Sequence, residues 1–347
     1  MRANSDEERL QIPQVLIVCR DEIEHLLNVN DALKAVEVAF KLCAIGKTFM
    51  PPKIYLDVPD KGGDFRAMPA CIDNMAGLKW VCVYPNNKEN NLPTVMATII
   101  LSDPNTGCTL AIMDGTYITN IRTGCAGGVA VKYLARSNSS TIGLIGAGIQ
   151  ADTQLLAIHK VLPEIKEVRV FDTDENKALM YAYRMIKELD IDVRPVKTLK
   201  EATEVDILVT TTPSRTPIIK EIHVKPGTHI NAIGADAPGK QEIEYGVLKK
   251  AKVIVDDIEQ AYHSGEINVN LSQGLMTTAD IFGTLGEIVA GLKSGRENND
   301  EITIFDSTGL AIHDIICAKL VYEKAKEIKD SKSKLFQLIQ PARGLNV

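Results

Sequence analysis

The sequence is poor in the features that mark secreted, membrane-spanning or metal-holding proteins. Its seven cysteines, at 19, 43, 71, 82, 108, 125 and 317, include no C-x-x-C pair. An odd, scattered set fits neither a disulfide framework nor a zinc site, so no metal centre is expected. Most sit in apolar runs such as Val81-Cys82-Val83 and Ile316-Cys317-Ala318, where a thiol packs as a small hydrophobe. The six histidines have no metal-ligand spacing either. No apolar stretch approaches the ~20 residues of a membrane span. The opening dozen residues, MRANSDEERLQI, are polar where a secretory leader would be apolar. By elimination the cytoplasm is the expected compartment. Aromatics are scarce, at 5%, which leaves the cores to Ile, Val, Leu and Ala. Long runs of one charge are also missing: the net charge of −6 is spread over dispersed acids and bases. That distribution excludes a nucleic-acid footprint.

What is present is an ordinary globular composition, 45% hydrophobic and 24% charged over 347 residues, with length enough for two domains. Apolar residues recur at helical spacing over 21–45 (Leu26, Leu27, Leu33, Val36, Phe40) and stop at Gly46. Short β-type runs follow at 53–58, 78–84, 94–101 and 110–113. Turn signals such as Lys61-Gly62-Gly63-Asp64 and Asp103-Pro104-Asn105-Thr106-Gly107 separate them. Residues 118–136, built around Thr123-Gly124-Cys125-Ala126-Gly127-Gly128, predict a closely packed helix despite the low helix propensity of glycine.

At Ser137-Asn138-Ser139-Ser140 the pattern changes. Strands expected at 141–145, 167–171, 192–196, 205–210, 228–233, 252–256 and 302–306 alternate with helices, which predicts a parallel sheet with right-handed crossovers. A last amphipathic pattern, 310–328, is expected to leave that sheet and pack on the first half of the chain.

The sharpest local signal is Thr141-Ile142-Gly143-Leu144-Ile145-Gly146-Ala147-Gly148-Ile149-Gln150-Ala151. A buried strand runs into G-x-G-x-x-A and a helix pattern follows. Gly146 permits the tight turn and Gly148 lets backbone approach a pyrophosphate. Ala151 lets helix and strand pack closely, and the helix N-terminus supplies N–H donors. The next strand, Val168-Arg169-Val170-Phe171-Asp172, ends in an acid 26 residues beyond Gly146. An acid there accepts from ribose hydroxyls and repels a 2′-phosphate, which favours NAD over NADP; it reads equally as an acid capping its loop. Two later strand ends are expected to face the nicotinamide: Thr210-Thr211-Thr212, also readable as β-branched strand residues, and Ile233-Gly234-Ala235-Asp236. The expected fold is thus α/β. A Rossmann-type parallel-sheet domain at 137–312 interrupts a discontinuous α+β domain made of 1–136 and 313–347.

That first domain offers four candidate cations for a carboxylate substrate: Lys53, Arg66, Lys79 and Arg122. Lys79, opening an apolar run in Gly77-Leu78-Lys79-Trp80-Val81, is either a snorkelling edge residue or a desolvated amine with a lowered pKa. Asp236, held among small residues at the sheet's carboxyl edge, is placed for acid/base work.

Together these segments resemble the ornithine cyclodeaminase/mu-crystallin family. The matching motifs are Pro51-Pro52-Lys53, Phe65-Arg66-Ala67-Met68-Pro69, Gly77-Leu78-Lys79-Trp80-Val81, Leu92-Pro93-Thr94-Val95-Met96-Ala97, Arg122-Thr123-Gly124, Gly146–Ala151, the run from Asn231 through Asp236 and Lys240 to Glu242, and Asp306-Ser307-Thr308-Gly309. They follow family order over about residues 16–328. The resemblance implies that Lys53 and Arg66, with Met68 beside them, hold the substrate carboxylate. It makes Lys79 the general acid/base, with Asp236 as its acidic partner. Thr94, Arg122, Gln150, Asp172, Lys240 and Ser307 then join Gly146, Gly148, Ile149, Thr211, Ile233 and Gly234 around NAD. A homodimer joined through the first domain is implied as well. The branch that dehydrogenates alanine is the most similar, with pyruvate and ammonia as products. Cyclisation of ornithine to proline, or NADPH binding without turnover, are the alternatives within the family. The cyclodeaminase branch carries a glutamate where this chain has Arg66. A cation there suits a carboxylate and repels the second amine of ornithine.

Overall fold

The computed structural model describes residues 14–328 and 334–336. The polar leader and the tail positions 329–333 and 337–347, which fall in the expected first domain, lie outside the described residues. Strands β1 (Val15–Val18), β2 (Thr48–Phe49), β3 (Ile54–Val58), β4 (Gly63–Ile72), β5 (Met75–Val83), β6 (Val95–Ser102) and β7 (Thr109–Asp114) build one sheet. Its spatial order is β1-β7-β6-β5-β4-β2, with β3 on β4 and the Lys334–Phe336 strand on the far side of β1. Only β1 and β7 pair in parallel among these described strands.

The second sheet holds β8 (Thr141–Ile145), β9 (Glu167–Phe171), β10 (Asp192–Pro195), β11 (Ile207–Thr210), β12 (His229–Ala232), β13 (Lys252–Val255), β14 (Ile281–Thr284) and β15 (Thr303–Asp306). Every pairing in it is parallel, in the order β10-β9-β8-β11-β12-β15-β13-β14. The order reverses between β8 and β11, and a crevice outside the carboxyl ends of the strands at such a point is where ligands bind. The strands β11, β12 and β15 are buried at every position, as a sheet covered on both faces requires.

Five described strands lie outside the expected pattern, the short β2 and Lys334–Phe336 among them. β1 adjoins the polar leader, and β14 is a four-residue segment with a glycine. β4 is masked by Arg66 and Pro69 inside it. Pro69 nevertheless fits, because it lies between the stretch of β4 that pairs with β3 and the stretch that pairs with β2, where a missing N–H costs no ladder bond. The single helix expected over 21–45 is two, α1 (Arg20–Leu26) and α2 (Val29–Ala44). Asn28 makes the break: its side chain accepts the Asp31 N–H at 3.0 Å and starts a new helix.

Helix α3 (Thr116–Leu134) and helix α4 (Ile149–Val161), which opens after the glycine turn, pack backbone to backbone. A Cβ on Gly124 would stand 2.2 Å from the Thr153 carbonyl oxygen. Gln154 exploits this proximity: its Nε2 donates to Thr123 O at 2.9 Å and its Oε1 accepts from Asn231 Nδ2 at 3.0 Å. The last helix, Ala311–Glu327, crosses back and packs on α2, α3, β4 and β5. Its Ile312, Ile315 and Val321 share one core with Ile99, Leu101 and Met113 of the first sheet.

The glycine contact gives a direct test. Gly124→Ala forces α3 off α4 and should remove about 1–3 kcal/mol of stability in urea unfolding. An unchanged midpoint would mean that the two helices have slack here.

Candidate active site

Two cavities meet where the sheets face each other. The larger, about 710 Å³, lies beyond the carboxyl ends of β11 and β12 and is lined by Thr94, Gln150, Thr211, Thr212, Arg215, Gly234 and Lys240, among others. The smaller, about 140 Å³, is lined by Lys53, Met68, Lys79, Arg122, Ser307 and Thr308, with an apolar wall that includes Val81. Arg66, Val83, Val95, Gln150, Ile233 and Asp236 belong to both.

Strand alternation assembles the inner wall of the small cavity. Arg66 stands opposite Val81 and Met68 opposite Lys79 in the β4–β5 ladder, so all four project from one face. Trp80 and Phe65 take the other face and stack there, with ring centroids 5.2 Å apart. The Lys53 ammonium donates to the carbonyl of Thr308. Arg66 is held by Asp64 at 2.7 Å and by Asp236 at 2.9 Å. Lys240 also pairs with Asp236, at 2.5 Å. Lys79 Nζ lies 2.7 Å from Asp314 Oδ2, and Arg122 Nε donates to Asp314 Oδ1 at 2.8 Å.

Four cations thus share three carboxylates, and Lys53 adds a fifth cation resting on a carbonyl. Buried charge without a counter-charge is costly, so an anion entering this cavity is strongly favoured. The electrostatics tune the amines. Burial, reinforced by Arg122 and opposed by Asp314, pulls Lys79 down to about 7. Burial likewise brings Lys53 to about 8, against the pull of Asp256. Burial alone would raise Asp236, but Arg66 and Lys240 hold it well below the usual carboxylate range. An amine that titrates near neutrality can both take and give a proton at working pH.

The glycine turn fits a dinucleotide. Gly146 adopts φ +100°, and a Cβ there would collide with Thr211 Oγ1 at 2.8 Å. Gly148 faces open space, no side chain caps α4, and so its first N–H groups point where a phosphate would sit. Asp172 Oδ2 accepts the Ala147 N–H at 2.9 Å and Oδ1 the Asp174 N–H at 3.0 Å. The loop-capping role is therefore real. Each oxygen keeps a second lone pair for a ribose hydroxyl.

Most of the residues singled out in the sequence line one cavity or the other. Gly146, Gly148, Ile149 and Asp172 line neither; they form the turn beside the larger one. For three residues the arrangement differs from the expected pairing. The carboxylate beside Lys79 is Asp314, because Asp236 is committed to Arg66 and Lys240. Arg66, expected to hold the substrate carboxylate, already has two carboxylates of its own. Arg122, expected on the cofactor side, lines the small cavity and has no acceptor on Nη1 or Nη2 among the described residues. Asp314 had a readable signal: a lone acid in the apolar run Leu310-Ala311-Ile312-His313-Asp314-Ile315-Ile316. Asp64, beside Arg66 in β4, had none.

Among the described residues no helix is long and apolar enough to cross a membrane, and no cluster of three or more His, Cys, Asp or Glu is arranged to hold a metal ion. A sequence model of the ornithine cyclodeaminase/mu-crystallin family matches residues 14–329. An alanine dehydrogenase of Archaeoglobus fulgidus is 52% identical over 94% of this chain and 100% of its own length. Among solved structures, an archaeal alanine dehydrogenase dimer with bound NAD superposes with a TM-score of 0.89 at 51% identity, covering 92% of this chain and 99% of that one. The Δ1-pyrroline-2-carboxylate reductase of Thermococcus litoralis, in complex with NADH and L-proline, gives 0.88 at 41% identity, covering 90% and 98%.

The open space above Gly148 yields a clean separation of binding from folding. Gly148→Val should leave the thermal midpoint of the ligand-free protein in place while weakening NAD binding about a hundredfold by calorimetry. Full affinity in that variant would remove the turn from the nucleotide site.

Proposed function

The chain belongs to the ornithine cyclodeaminase/mu-crystallin family, and on that footing we propose that it is an NAD-dependent oxidoreductase that deaminates L-alanine to pyruvate and ammonia, reversibly. One observation carries this reading: a small cationic cavity with an apolar wall opens directly onto the nucleotide-binding crevice. A carboxylate satisfies the surplus positive charge, and about 140 Å³ suits a substrate with a short side chain. Arg66 turns away the second amine of a diamine. The relatives with bound NAD or NADH support the choice of cofactor.

In this reading Arg122 and Lys53 take the substrate carboxylate, and Arg66 keeps that end of the cavity positive. Met68, Val81 and Val95 surround the methyl group. Gln150 and Ile233, which line both cavities, would hold the nicotinamide end of NAD, and the cofactor would supply a hydride acceptor for the substrate Cα–H. The substrate, losing hydride as its free amine, becomes an iminium, and water adds to its carbon. Neutral Lys79 Nζ takes the proton released by that water and passes it to the nitrogen of the carbinolamine. The C–N bond then breaks, the hydroxyl proton is released as the carbonyl forms, and it leaves with ammonia as ammonium. Asp236 holds Arg66 and Lys240 on the boundary between the two cavities. The protein contributes orientation, charge complementarity and proton delivery.

We also assign a homodimer joined through the outer face of the first sheet. Ile54, Leu56, Phe65, Trp80 and Met96 lie on that face, since opposed residues in the β3–β4–β5–β6 ladders share a side. Ile54 and Leu56 are more than half exposed, an apolar surface that a second copy would cover. The similar archaeal structure is a dimer. Reduction of a cyclic imino acid to proline is the second reading. It is favoured by the apolar side chains of Met68, Val81, Val83, Val95 and Ile233 in the small cavity and by the proline-bound relative.

Four outcomes test these assignments. NADH formation scanned over alanine, proline, ornithine and lysine should be fastest with alanine; proline in first place selects the second reading. Lys79→Met should lower kcat/KM by about 10³ with the NAD dissociation constant unchanged. Because only the neutral amine accepts a proton and burial sets Lys79 near 7, oxidation should rise with pH up to about 7 and then level once the substrate's own titration is divided out. Reductive amination needs the ammonium form and should fall above that pH; a limb near the ordinary lysine range would take Lys79 out of the mechanism. Leu56→Glu with Trp80→Glu should yield monomers in light scattering.

A further inference from the structure

We propose that Asp314 is the positioning residue of this site, a single carboxylate that fixes Lys79 and Arg122 from behind so that one presents its amine and the other its open fork to the substrate. The inference rests on the assignment of Lys79 as the acid/base group. Asp314 lines neither cavity and is fully buried. It touches no substrate space, yet each of its oxygens holds a different residue that does. The choice of atom matters. Arg122 is gripped through Nε, which leaves Nη1 and Nη2 turned toward the cavity. The same fork lies so close to Gly309, at φ +82°, that a Cβ there would meet Nη1 at 2.6 Å. The guanidinium is thus confined between the Asp314 carboxylate and a glycine that leaves it room.

The surroundings make Asp314 the counter-charge for Lys79. Arg122 from α3, Lys53 beside β3 and Arg66 from β4 are all cations facing the same cavity. On its own helix, burial holds the His313 imidazole neutral, near 3, and burial pushes the Cys317 thiol up to about 12, so neither carries charge. Among the described residues His313 has no hydrogen-bond partner on either ring nitrogen, and it packs edge-on against Phe40, with centroids 4.4 Å apart. Asp314 is the fourth residue of the last helix, where the helix N-terminus favours an anion. Asp314 raises the proton affinity of Lys79 while Arg122 lowers it. Remove the carboxylate, and the ammonium loses its paired counter-charge and keeps Arg122 and Lys53 as like-charged neighbours, while Asp236 on the same cavity stays tied to Arg66 and Lys240.

Asp314→Asn in the full-length enzyme is the test, read through the pH profile of kcat/KM for oxidation. The acidic limb, at about 7 in the native protein, should move to lower pH by about one unit or more. The amino-acid KM should rise about tenfold as the Arg122 fork loosens, with NAD affinity unchanged. A limb that stays in place, even with a lowered melting temperature, assigns Asp314 to scaffolding and overturns the proposal. If the Asn variant does not fold, Asp314→Glu carries the test. It keeps the charge but displaces it, so the limb should stay within about half a unit while kcat falls about tenfold. Native kcat in that variant overturns the proposal. If the native enzyme prefers an imino acid to alanine, the same profile is recorded with that substrate. Failure of the alanine assignment is then distinct from failure of the Asp314 assignment.

Discussion

Everything in this molecule is organised around a buried excess of positive charge. Lys53, Arg66, Lys79 and Arg122 converge on a cavity of about 140 Å³. Isolated buried cations are too costly to keep, so the fold brings carboxylates to them from two directions. Asp64 comes from the same strand as Arg66 and Asp236 from the loop after β12. Asp314 comes from the helix that returns from the parallel sheet to the first one. With Lys240 and the Asp256 carboxylate that acts on Lys53 included, five cations meet four carboxylates, and a net positive cavity favours an anion.

The two acids divide the labour. Asp236 stands at the junction of the two cavities, tied to Arg66 and Lys240, which hold its carboxyl well below the usual carboxylate range. Asp314 stands behind the amines. The cleft is therefore bridged by the ion pairs of Asp236 on one side and braced by the two ion pairs of Asp314 on the core side. The polar network through Thr123, Gln154 and Asn231 runs along the same boundary, so the helix bearing Arg122 is fixed to the helix that opens the nucleotide turn. Relative displacement of the two sheets would disturb substrate and cofactor contacts together.

Much of this was legible in the sequence because it depends on short-range pattern. Alternation of strands and helices after Ser140, the glycine turn at 146–148 and the apolar stripe of the last helix each follow from local periodicity and backbone sterics. Lys79 and Asp236 stood out as charges among small or apolar residues. What stayed hidden was pairing across long sequence separations. Nothing local distinguishes Asp236 from Asp314 as the neighbour of Lys79; only the path of Ala311–Glu327 back onto β5 decides it. β4 was obscured for a related reason. Its charged and proline residues are tolerated because of what lies on either side of the strand, and a linear pattern does not hold that information.

The path of the last helix also has a consequence for how the protein is made. The core of the first sheet includes Ile312, Ile315 and Val321, residues translated after the whole of the parallel sheet. On the ribosome, the strands that carry Lys79 and Arg66 must wait for that helix with part of their apolar face uncovered, while the later-born nucleotide half can close first. The Lys79 amine gains its carboxylate only once that helix has been made. A nascent chain caught before that point would have its parallel sheet in place and its buried cations still short of a partner.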